Sequence, residues 1–359
     1  MGNCPEPVSV FIPHHGNPTL LEPLFTSLFA MGMESERVEY VLVDNGSTDG
    51  SVEFVRKRFP KVRVLSLGRN EGFAPALNRA AHAYDSEWLC FLNNDVRVDI
   101  NWLPNLLYAS NSIHATCFAS HILDWSGKKT HFGGGWINLF GKGFESPRIE
   151  SPVPYEIFFA CGCGMMIRRD LFLELEGFDD DYFMLYEDVD LGWRLRLLGH
   201  SIYMVPDAKV MHKGHTSLNQ VPYTQKALFF ERNSLATIYK NLASDSLAVV
   251  FPLALREALA RAQALSGIGI PFPCHQDGLA ILESVNAFYS QLPRWKEKRR
   301  WIQQRRTLTD TELFARFFPH PSQLWAFCDD HYRRIHHPHI LPVLQGILDR
   351  ARWAVGFGE

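Results

Sequence analysis

The chain has 359 residues, of which 46% are hydrophobic and 21% are charged, and its formal net charge at pH 7 is -3. This balance is typical of a globular protein with a sizeable core, and the length suits one large domain with an appendage, or two domains. Because a basic excess is missing, a dedicated nucleic-acid-binding protein is excluded and no nucleic-acid partner is expected.

The cysteines and the N-terminal segment indicate an intracellular setting. Seven irregularly spaced cysteines are not the pattern of a disulfide framework or of a structural zinc site. The first residues show neither a basic region nor a long apolar region, so no signal peptide is predicted. The longest apolar run, 247–255, is too short to cross a bilayer. These features predict reduced thiols and a cytoplasmic protein.

Apolar runs alternate with amphipathic stretches through the first hundred residues. They predict strands at 8–13, 38–44, 62–68 and 87–95 and helices at 18–31, 51–59 and 73–84. This alternation indicates βαβ units and a parallel sheet covered on both faces. Ligands bind at the carboxyl ends of the strands in such sheets, which is where Asp44, Asn70 and the Asn93-Asn94-Asp95 segment fall.

The chain is less regular after residue 100. A helix is predicted at 102–112, and the Gly- and aromatic-rich segment 131–144 reads as a loop or hairpin. A strand at 201–212 ends at His212, and the chain after about residue 225 is predicted to be mostly helical.

Two strand ends allow both a binding and a structural interpretation. Asp95 with its neighbouring amides has the oxygen ligands that a hard divalent cation prefers, yet Asn and Asp are also ordinary turn residues. Asp44 opens a dense turn and could cap it, or it could accept a hydrogen bond from a nucleotide base at the mouth of the sheet.

Three carboxylates, Glu187, Asp188 and Asp190, crowd the start of a predicted amphipathic helix. Acids favour a helix N-terminus, but mutual repulsion would also raise at least one pKa, which suits a general base. His212 and His215 could bind a metal or simply lie at the surface. Arg232 could pair with a diphosphate or lie on a solvated helix face.

In this order, the segments VSVFIP, VDNGSTDGS, RNEGFAPALN, FLNNDV and the block 161–199 resemble glycosyltransferase family 2, the inverting enzymes of the GT-A fold. Within the family, the likeness is to the bacterial rhamnosyltransferase-like branch. It covers about residues 8–240. It implies an α/β fold with a Rossmann-like mixed sheet flanked by helices, and a mainly helical C-terminal extension.

The resemblance also implies a domain division. Residues 1–240 would form the catalytic domain, with nucleotide-sugar binding over about 1–97 and the acceptor side over about 98–240. Residues 241–359 would form a helical C-terminal region.

The resemblance assigns roles to individual residues. Asp188 becomes the catalytic base beside Glu187, and Asp95 and His212 become ligands of a divalent cation, Mn²⁺ or Mg²⁺. The family's usual acid at the first position of the metal motif is here Asn93. The nucleotide-sugar-binding set implied by the resemblance is Pro13, Asp44, Asn70, Asn78, Asn93, Asn94, Asp95, Gly162 and Arg232.

The implied reaction is a single displacement with inversion of configuration. A dTDP- or UDP-sugar would supply the sugar, with rhamnose or another hexose as candidates, and the acceptor would be a glycan or a lipid-linked saccharide in cell-surface polysaccharide or glycoconjugate synthesis. Two alternatives stay open. A nucleotidyltransferase would need a Gly-rich phosphate loop that residues 14–17 do not provide. The other is a nucleotide-sugar- or glycan-binding protein on a catalytically impaired transferase fold.

The segment 294–306 carries seven basic residues, one acid and two tryptophans. A basic helix that bears aromatic residues can lie on an anionic membrane surface, which would place the enzyme at the inner face of the membrane. Alternatively, the tryptophans pack on the protein and the charges form a solvated face.

Overall fold

The computed structural model describes residues 7–33, 37–138, 142–214, 221–265 and 275–317. Two compact units emerge from the contacts. The first comprises residues 1–135, 145–195 and 200–217, and the second comprises 136–144, 196–199 and 218–359. Residue 240, where the sequence predicts a domain boundary, falls inside the second unit. His215 and residues 318–359 of the predicted helical region lie outside the described residues.

Strands make up most of the first unit. In chain order they are β1 Val8–His14, β2 Val38–Asp44, β3 Arg63–Ser66, β4 Trp88–Leu92, β5 Val96–Val98, β6 Cys117–Asp124, β7 Thr130–Phe132, β8 Gly135–Ile137, β9 Gly143–Glu145, β10 Tyr155–Glu156, β11 Gly164–Arg168 and β12 Ile202–His212.

The N-terminal helices flank the sheet of the first unit, and the C-terminal helices form most of the second unit. They are α1 Leu21–Ala30, α2 Ser51–Arg58, α3 Phe73–Ala83, α4 Trp102–Ser112, α5 Arg169–Glu174, α6 Glu187–Leu197, α7 Tyr223–Asn241, α8 Ser244–Leu265, α9 His275–Ser290, α10 Leu292–Arg305 and α11 Asp310–Phe317. A short 3₁₀ helix, Pro18–Leu20, precedes α1.

One mixed sheet organises the first unit, in the order β10-β12-β6-β11-β4-β1-β2-β3, with β5 and β7 added beside β12 and β6. The four N-terminal strands β1 to β4 are parallel, as predicted, and β11 runs antiparallel between β4 and β6. β1 and β4 are buried runs of apolar residues, typical of strands covered on both faces. The predicted α/β fold, with a mixed sheet flanked by helices and a helical region after it, is therefore confirmed.

The strand order reverses direction at β1, which has β2 on one side and β4 on the other. Pairing with β2 continues to His14, whereas pairing with β4 stops at Phe11. Pro13 lacks an N–H group, so its place beyond the last β4 pair costs no ladder hydrogen bond on that side. The carboxyl ends of β1 and β4 therefore lie where the strand order changes direction, which is the position at which α/β sheets bind ligands.

The second unit is a helical bundle in which α7 packs against α8, α9 and α10. Its aromatic centre is Phe288, whose ring lies 5.7 Å from that of Tyr239 and 5.3 Å from that of Phe251. In the same unit, Lys142 forms ion pairs with Glu231 at 3.1 Å and Glu257 at 2.7 Å. Arg261 also pairs with both carboxylates, so two buried acids are held by two cations.

Lys142→Ala is expected to lower the free energy of unfolding by about 3 kcal/mol, because removing one partner leaves buried carboxylates under-compensated. Its side chain is only 10% exposed, and that of Glu257 is fully buried. Arg58→Ala, which breaks an exposed pair with Glu22, should cost less than about 1 kcal/mol. Urea denaturation of both variants measures the contrast, and equal losses would contradict it.

The basic segment 294–306 corresponds mainly to α10. Trp295 is fully buried, and its indole N–H donates to the Phe288 carbonyl at 3.1 Å. Arg299 donates to backbone carbonyls including that of Tyr239, and Arg305 lies over the half-buried Trp301 ring at 4.3 Å. Trp295 therefore packs inside the protein, as the alternative interpretation of this segment predicted. Contact of the segment 294–306 with a membrane stays a prediction. In the described part of the chain, no helix is both long enough and apolar enough to span a bilayer.

Candidate active site

The ends of β4 and β12 bring Asp95 and His212 together. β5 follows Asp95 directly and pairs antiparallel with the end of β12, where His212 lies opposite Val96. As a result, His212 Nε2 lies 3.0 Å from Asp95 Oδ1, although the two residues are 117 positions apart. Both residues are less than a tenth exposed. The Lys213 N–H also donates to the Asp95 carbonyl, which fixes the end of β12 against this segment.

A carboxylate oxygen and an imidazole nitrogen in one place fit a divalent transition cation such as Mn²⁺. No third His, Cys, Asp or Glu completes a metal-binding group within the described residues. Two protein ligands are nevertheless the usual number when diphosphate oxygens and water fill the rest of the shell. The residues present therefore fit the cation that the sequence predicts.

The loop before α6 presents Glu187 and Asp188 through an unusual backbone. Leu185 and Tyr186 both have positive φ angles, 68° and 72°. Such conformations cost about 1–3 kcal/mol each in residues other than glycine and persist where a site requires them. They deliver Glu187 and Asp188 to the first turn of α6, where the helix dipole favours negative charge.

Asp188 is oriented by backbone donors. Its Oδ2 accepts a hydrogen bond from the Gly162 N–H at 3.2 Å, and its Oδ1 accepts one from its neighbour Val189 at 2.8 Å. Burial raises the pKa of Asp188, and these two donors act in the opposite direction. The half-buried carboxylate is thus held in a defined orientation with an elevated affinity for a proton, as a general base requires.

Glu187 is buried more deeply, at 8% exposure, and its Oε2 has no hydrogen-bond partner among the described residues. Burial, and next the charge of Asp188, raise the pKa of Glu187 to about 8. The third acid of the motif has a structural role, because Asp190 is fully buried and pairs with Arg194 at 2.8 Å. Arg194 also donates to the Leu175 carbonyl, which ties α6 to the segment before it.

Glu187→Gln is expected to stabilise the protein increasingly from pH 5 to pH 8. The pKa of Glu187 is near 8 in the folded protein, whereas in the unfolded chain it has its ordinary, lower value. As the pH rises between these two values, the unfolded state loses its proton first, so the free energy of unfolding of the wild type falls. Glutamine does not ionise, so the variant does not lose this stability. We expect a difference of about 4 kcal/mol at pH 8, measured by denaturation across this range. Glu53→Gln, on the exposed face of α2, serves as the control. A difference independent of pH would refute the expectation.

The predicted nucleotide-binding residues gather at the other strand ends. Asp44 is buried, and its Oδ1 accepts a hydrogen bond from the Ser47 N–H at 2.9 Å, so it does cap the turn that follows β2. Asn70, which is exposed, accepts from the Asn45 side chain at 3.0 Å and from the Gly72 N–H. Pro13 is the penultimate residue of β1, lies opposite Val43 of β2, and is half-buried.

Asn45 and His14 are two site residues that sequence reasoning did not select. The Asn45 amide binds Asn70, the Gly72 carbonyl and the Glu71 N–H, and so joins the loop after β2 to the loop after β3. His14 is the last residue of β1, the strand that lies between β2 and β4 in the sheet. Its Nδ1 is 2.8 Å from the Asn94 amide nitrogen. Burial lowers the pKa of His14 to about 4, so the ring is neutral at pH 7. Neither residue has a sequence signal beyond its place at a strand end.

The remaining predicted binding residues are placed differently. The Asn78 amide bonds to Phe178 and to the Asp180 carboxylate, which connects α3 to the segment before α6. Asn93, two residues before Asp95, is half-buried. Arg232 belongs to the second unit, where its guanidinium donates to Asn233 at 2.8 Å. The roles of all the predicted site residues in binding a nucleotide sugar stay predictions.

The family model described as "Glycosyl transferase family 2" matches residues 9–175. The N-acetylglucosaminyl-diphospho-decaprenol L-rhamnosyltransferase of Mycobacterium tuberculosis is 30% identical over 221 residues, which cover 53% of this chain and 72% of that protein. The chain belongs to glycosyltransferase family 2. The rhamnosyltransferase WbbL of Escherichia coli is a further relative, 24% identical over 227 residues that cover 58% of this chain and 84% of that protein.

Solved structures with low identity support the fold of this family 2 member. The crystal structure of GalNAc-T7 with UDP, GalNAc and Mn²⁺ aligns with a TM-score of 0.56 at 17% identity, covering 70% of this chain and 51% of that one. The structure of Staphylococcus aureus TarS, residues 1–349, aligns with a TM-score of 0.52 at 17% identity, covering 84% and 89%. These likenesses show the GT-A architecture, and the rhamnosyltransferase relatives place this family 2 chain in their branch.

Proposed function

We propose that this family 2 chain is an inverting, metal-dependent glycosyltransferase that moves a hexose from a nucleoside diphosphate sugar to an acceptor hydroxyl. The single observation that carries the proposal is the Asp95–His212 pair, 3.0 Å apart at the mouth of the sheet. Asp188, in the same unit, supplies a base oriented by the Gly162 N–H. A cation site and a base are the two groups that direct displacement at an anomeric carbon needs.

In this mechanism, Asp188 accepts the proton of the attacking hydroxyl as that oxygen bonds to the anomeric carbon. The bond from the anomeric carbon to the diphosphate oxygen breaks on the opposite side, so the configuration inverts. A divalent cation, Mn²⁺ or Mg²⁺, held by Asp95 and His212 would offset the negative charge on the departing nucleoside diphosphate. Glu187 stays protonated below its pKa of about 8 and so leaves Asp188 as the ionised member of the pair at neutral pH.

The donor nucleotide is proposed to lie along the ends of β1, β2 and β4. Asp44 and Asn70 would receive the nucleoside, and the amides of Asn93 and Asn94 would flank the sugar and diphosphate near Asp95. Asn78 is bonded to Phe178 and Asp180, so we assign it a supporting role rather than a direct contact.

The relatives support a choice of substrate. The Mycobacterium tuberculosis protein is named for transfer of L-rhamnose to an N-acetylglucosaminyl-diphospho-decaprenol. The Shigella flexneri relative RfbF is named a dTDP-rhamnosyl transferase. We therefore propose dTDP-rhamnose as the first donor to try, UDP-sugars as the second, and a lipid-linked or free glycan as the acceptor. Such an acceptor would place the enzyme in the cytoplasm, at the inner face of the membrane.

The test is a panel of nucleotide sugars with Mn²⁺, scored by release of nucleoside diphosphate and by calorimetric binding of the nucleoside diphosphates alone. Release of nucleoside diphosphate from one donor, and loss of this release when EDTA removes Mn²⁺, would support the proposed reaction. The same result would identify the donor. Nucleotide binding without release, in the presence of glycan and lipid-linked acceptor mixtures, would favour the binding-protein alternative. No binding of any nucleotide would overturn the proposal.

A further inference from the structure

A group of basic side chains surrounds one half-buried tryptophan near the ends of β6 and β12. The guanidinium carbon of Arg97 lies 5.2 Å from the centre of the Trp125 ring, and the ammonium nitrogen of Lys213 lies 5.0 Å from the same centre. Arg97 Nη2 also donates a hydrogen bond to the Trp125 carbonyl at 3.1 Å. Lys128 and Lys129 are exposed in the turn that joins β6 to β7. We call these five residues the basic patch.

The sheet brings the basic patch together from three separate segments. Arg97 is the middle residue of β5, which pairs with the end of β12. Trp125 and Lys213 directly follow Asp124 and His212, which are register partners at the ends of β6 and β12. All of these residues belong to the first unit. The basic patch therefore begins one residue after His212, a ligand of the proposed cation.

No ion pair joins the four cations of the basic patch to a carboxylate among the residues that the structure describes. The acid next to Trp125 serves the turn instead. Asp124 Oδ1 accepts hydrogen bonds from the N–H groups of Lys128 and Lys129, at 2.8 Å and 3.0 Å, and its Oδ2 accepts one from the Ser126 hydroxyl. The turn is thus held in one conformation, and the positive charge around the tryptophan is left without a counter-charge from the described part of the protein.

Two cations beside one aromatic ring repel each other. The charges of Arg97 and Lys213 are at most about 10 Å apart, which is about one Debye length at 0.1 M salt. The face of the Trp125 ring attracts each cation. A bound anion would offset the remaining repulsion. Arg97 offers the planar N–H fork that matches phosphate oxygens, and Lys213 adds a point charge on a flexible stem. The basic patch therefore has the chemistry of a phosphate-binding site.

We propose that the basic patch binds a diphosphate group of the acceptor, so that the acceptor is a glycosyl diphosphate rather than a neutral glycan. In the sheet, β6 and β12 lie on the other side of β4 from β1 and β2, whose ends are proposed to receive the nucleoside. The cation held by Asp95 and His212 would compensate the diphosphate of the donor, whereas the basic patch is a second, separate set of positive charges. This inference rests on the proposed function and narrows its acceptor.

The test compares two probes. One is N-acetylglucosamine joined to a decyl chain through a diphosphate, and the other is the decyl glycoside of the same sugar, which lacks the diphosphate. Their affinities are measured by calorimetry on protein saturated with Mn²⁺ and a nucleoside diphosphate, so that the donor site is filled. We expect wild type to bind the diphosphate probe about 100-fold more tightly than the neutral probe, since two cations would contact the diphosphate.

Arg97→Gln and Lys213→Gln are each expected to lower this affinity ratio about ten-fold, because each removes one charged contact. The ratio is taken within one protein sample, so a partial loss of folded protein cancels. Lys61→Gln is the matched control. It removes the same charge from an exposed position before β3, and it should keep the wild-type ratio.

The inference is overturned if wild type does not prefer the diphosphate probe, or if the preference survives both substitutions in the basic patch. Two further results would overturn it by identifying a different ligand. Weaker binding of the nucleoside diphosphate alone would assign the basic patch to the donor. Weaker binding to phosphatidylglycerol vesicles, with the probe ratio unchanged, would assign it to a membrane surface. In each case the proposed function stands, because release of nucleoside diphosphate from the donor tests it separately.

Discussion

Asp188→Asn is expected to lower the rate of sugar transfer by about 1,000-fold or more while the protein folds normally. The single oxygen of asparagine can accept from one of the two N–H groups, Gly162 or Val189, that hold the two oxygens of Asp188, so one of the two orienting hydrogen bonds survives. The amide cannot take up the proton of the attacking hydroxyl, and a positioned base contributes about 100- to 10,000-fold to a rate. The effect should appear in kcat, with little change in affinity for the nucleoside diphosphate.

The measurement is initial-rate kinetics with the donor selected by the panel, combined with calorimetry of nucleotide binding. Asp85→Asn is the matched control, because the Asp85 side chain is 98% exposed and pairs only at the surface with Arg169. Substantial transfer by Asp188→Asn would overturn the assignment of Asp188 as the base.

Asp95→Ala is expected to lower transfer by a similar factor, about 1,000-fold, but for a different reason. It removes one of two protein ligands of the proposed cation, and electrostatic stabilisation of a leaving diphosphate by a bound cation contributes several kcal/mol. His212→Ala should mainly raise the Mn²⁺ concentration needed for half-maximal rate, because the second ligand remains. Titration of the rate against Mn²⁺ measures both effects.

The control is His82→Ala, an exposed histidine on α3. If His212→Ala leaves the Mn²⁺ titration unchanged, His212 serves only to orient Asp95 by the 3.0 Å hydrogen bond between them. In that case the cation depends on Asp95 and the substrate, and the predicted role of His212 is wrong.

The N-terminal half of the fold was predictable because its signals are local. The strand predicted at 38–44 is found as Val38–Asp44, and the helix predicted at 102–112 as Trp102–Ser112. β6 was missed because polar residues interrupt its apolar run. Ser120 and His121 are nevertheless buried there, bonded to Trp102 and to the Pro206 carbonyl respectively, and these partners lie elsewhere in the sequence.

The candidate site was predictable only in part, because some of its residues are defined by partners that lie far away in the sequence. Asp44, Asp95, Asp188 and His212 stand in motifs that a single segment reveals. His14 has no such motif, because its place in the site comes from Asn94, which reaches it only when β1 and β4 pair in the sheet. Likewise, the segment around Asp188 does not by itself show that this carboxylate faces the Gly162 N–H, which lies 26 positions earlier in the chain.

The position of β11 has a consequence for synthesis of the protein. β1 to β4 are complete once residue 92 has left the ribosome, but β11, which covers the free edge of β4, begins only at Gly164. At the usual pace of translation the interval lasts several seconds. During it, the apolar strand Trp88–Leu92 is an uncovered edge of the kind that pairs with other chains. A nascent or truncated chain that stops before Gly164 is therefore a natural client for chaperones.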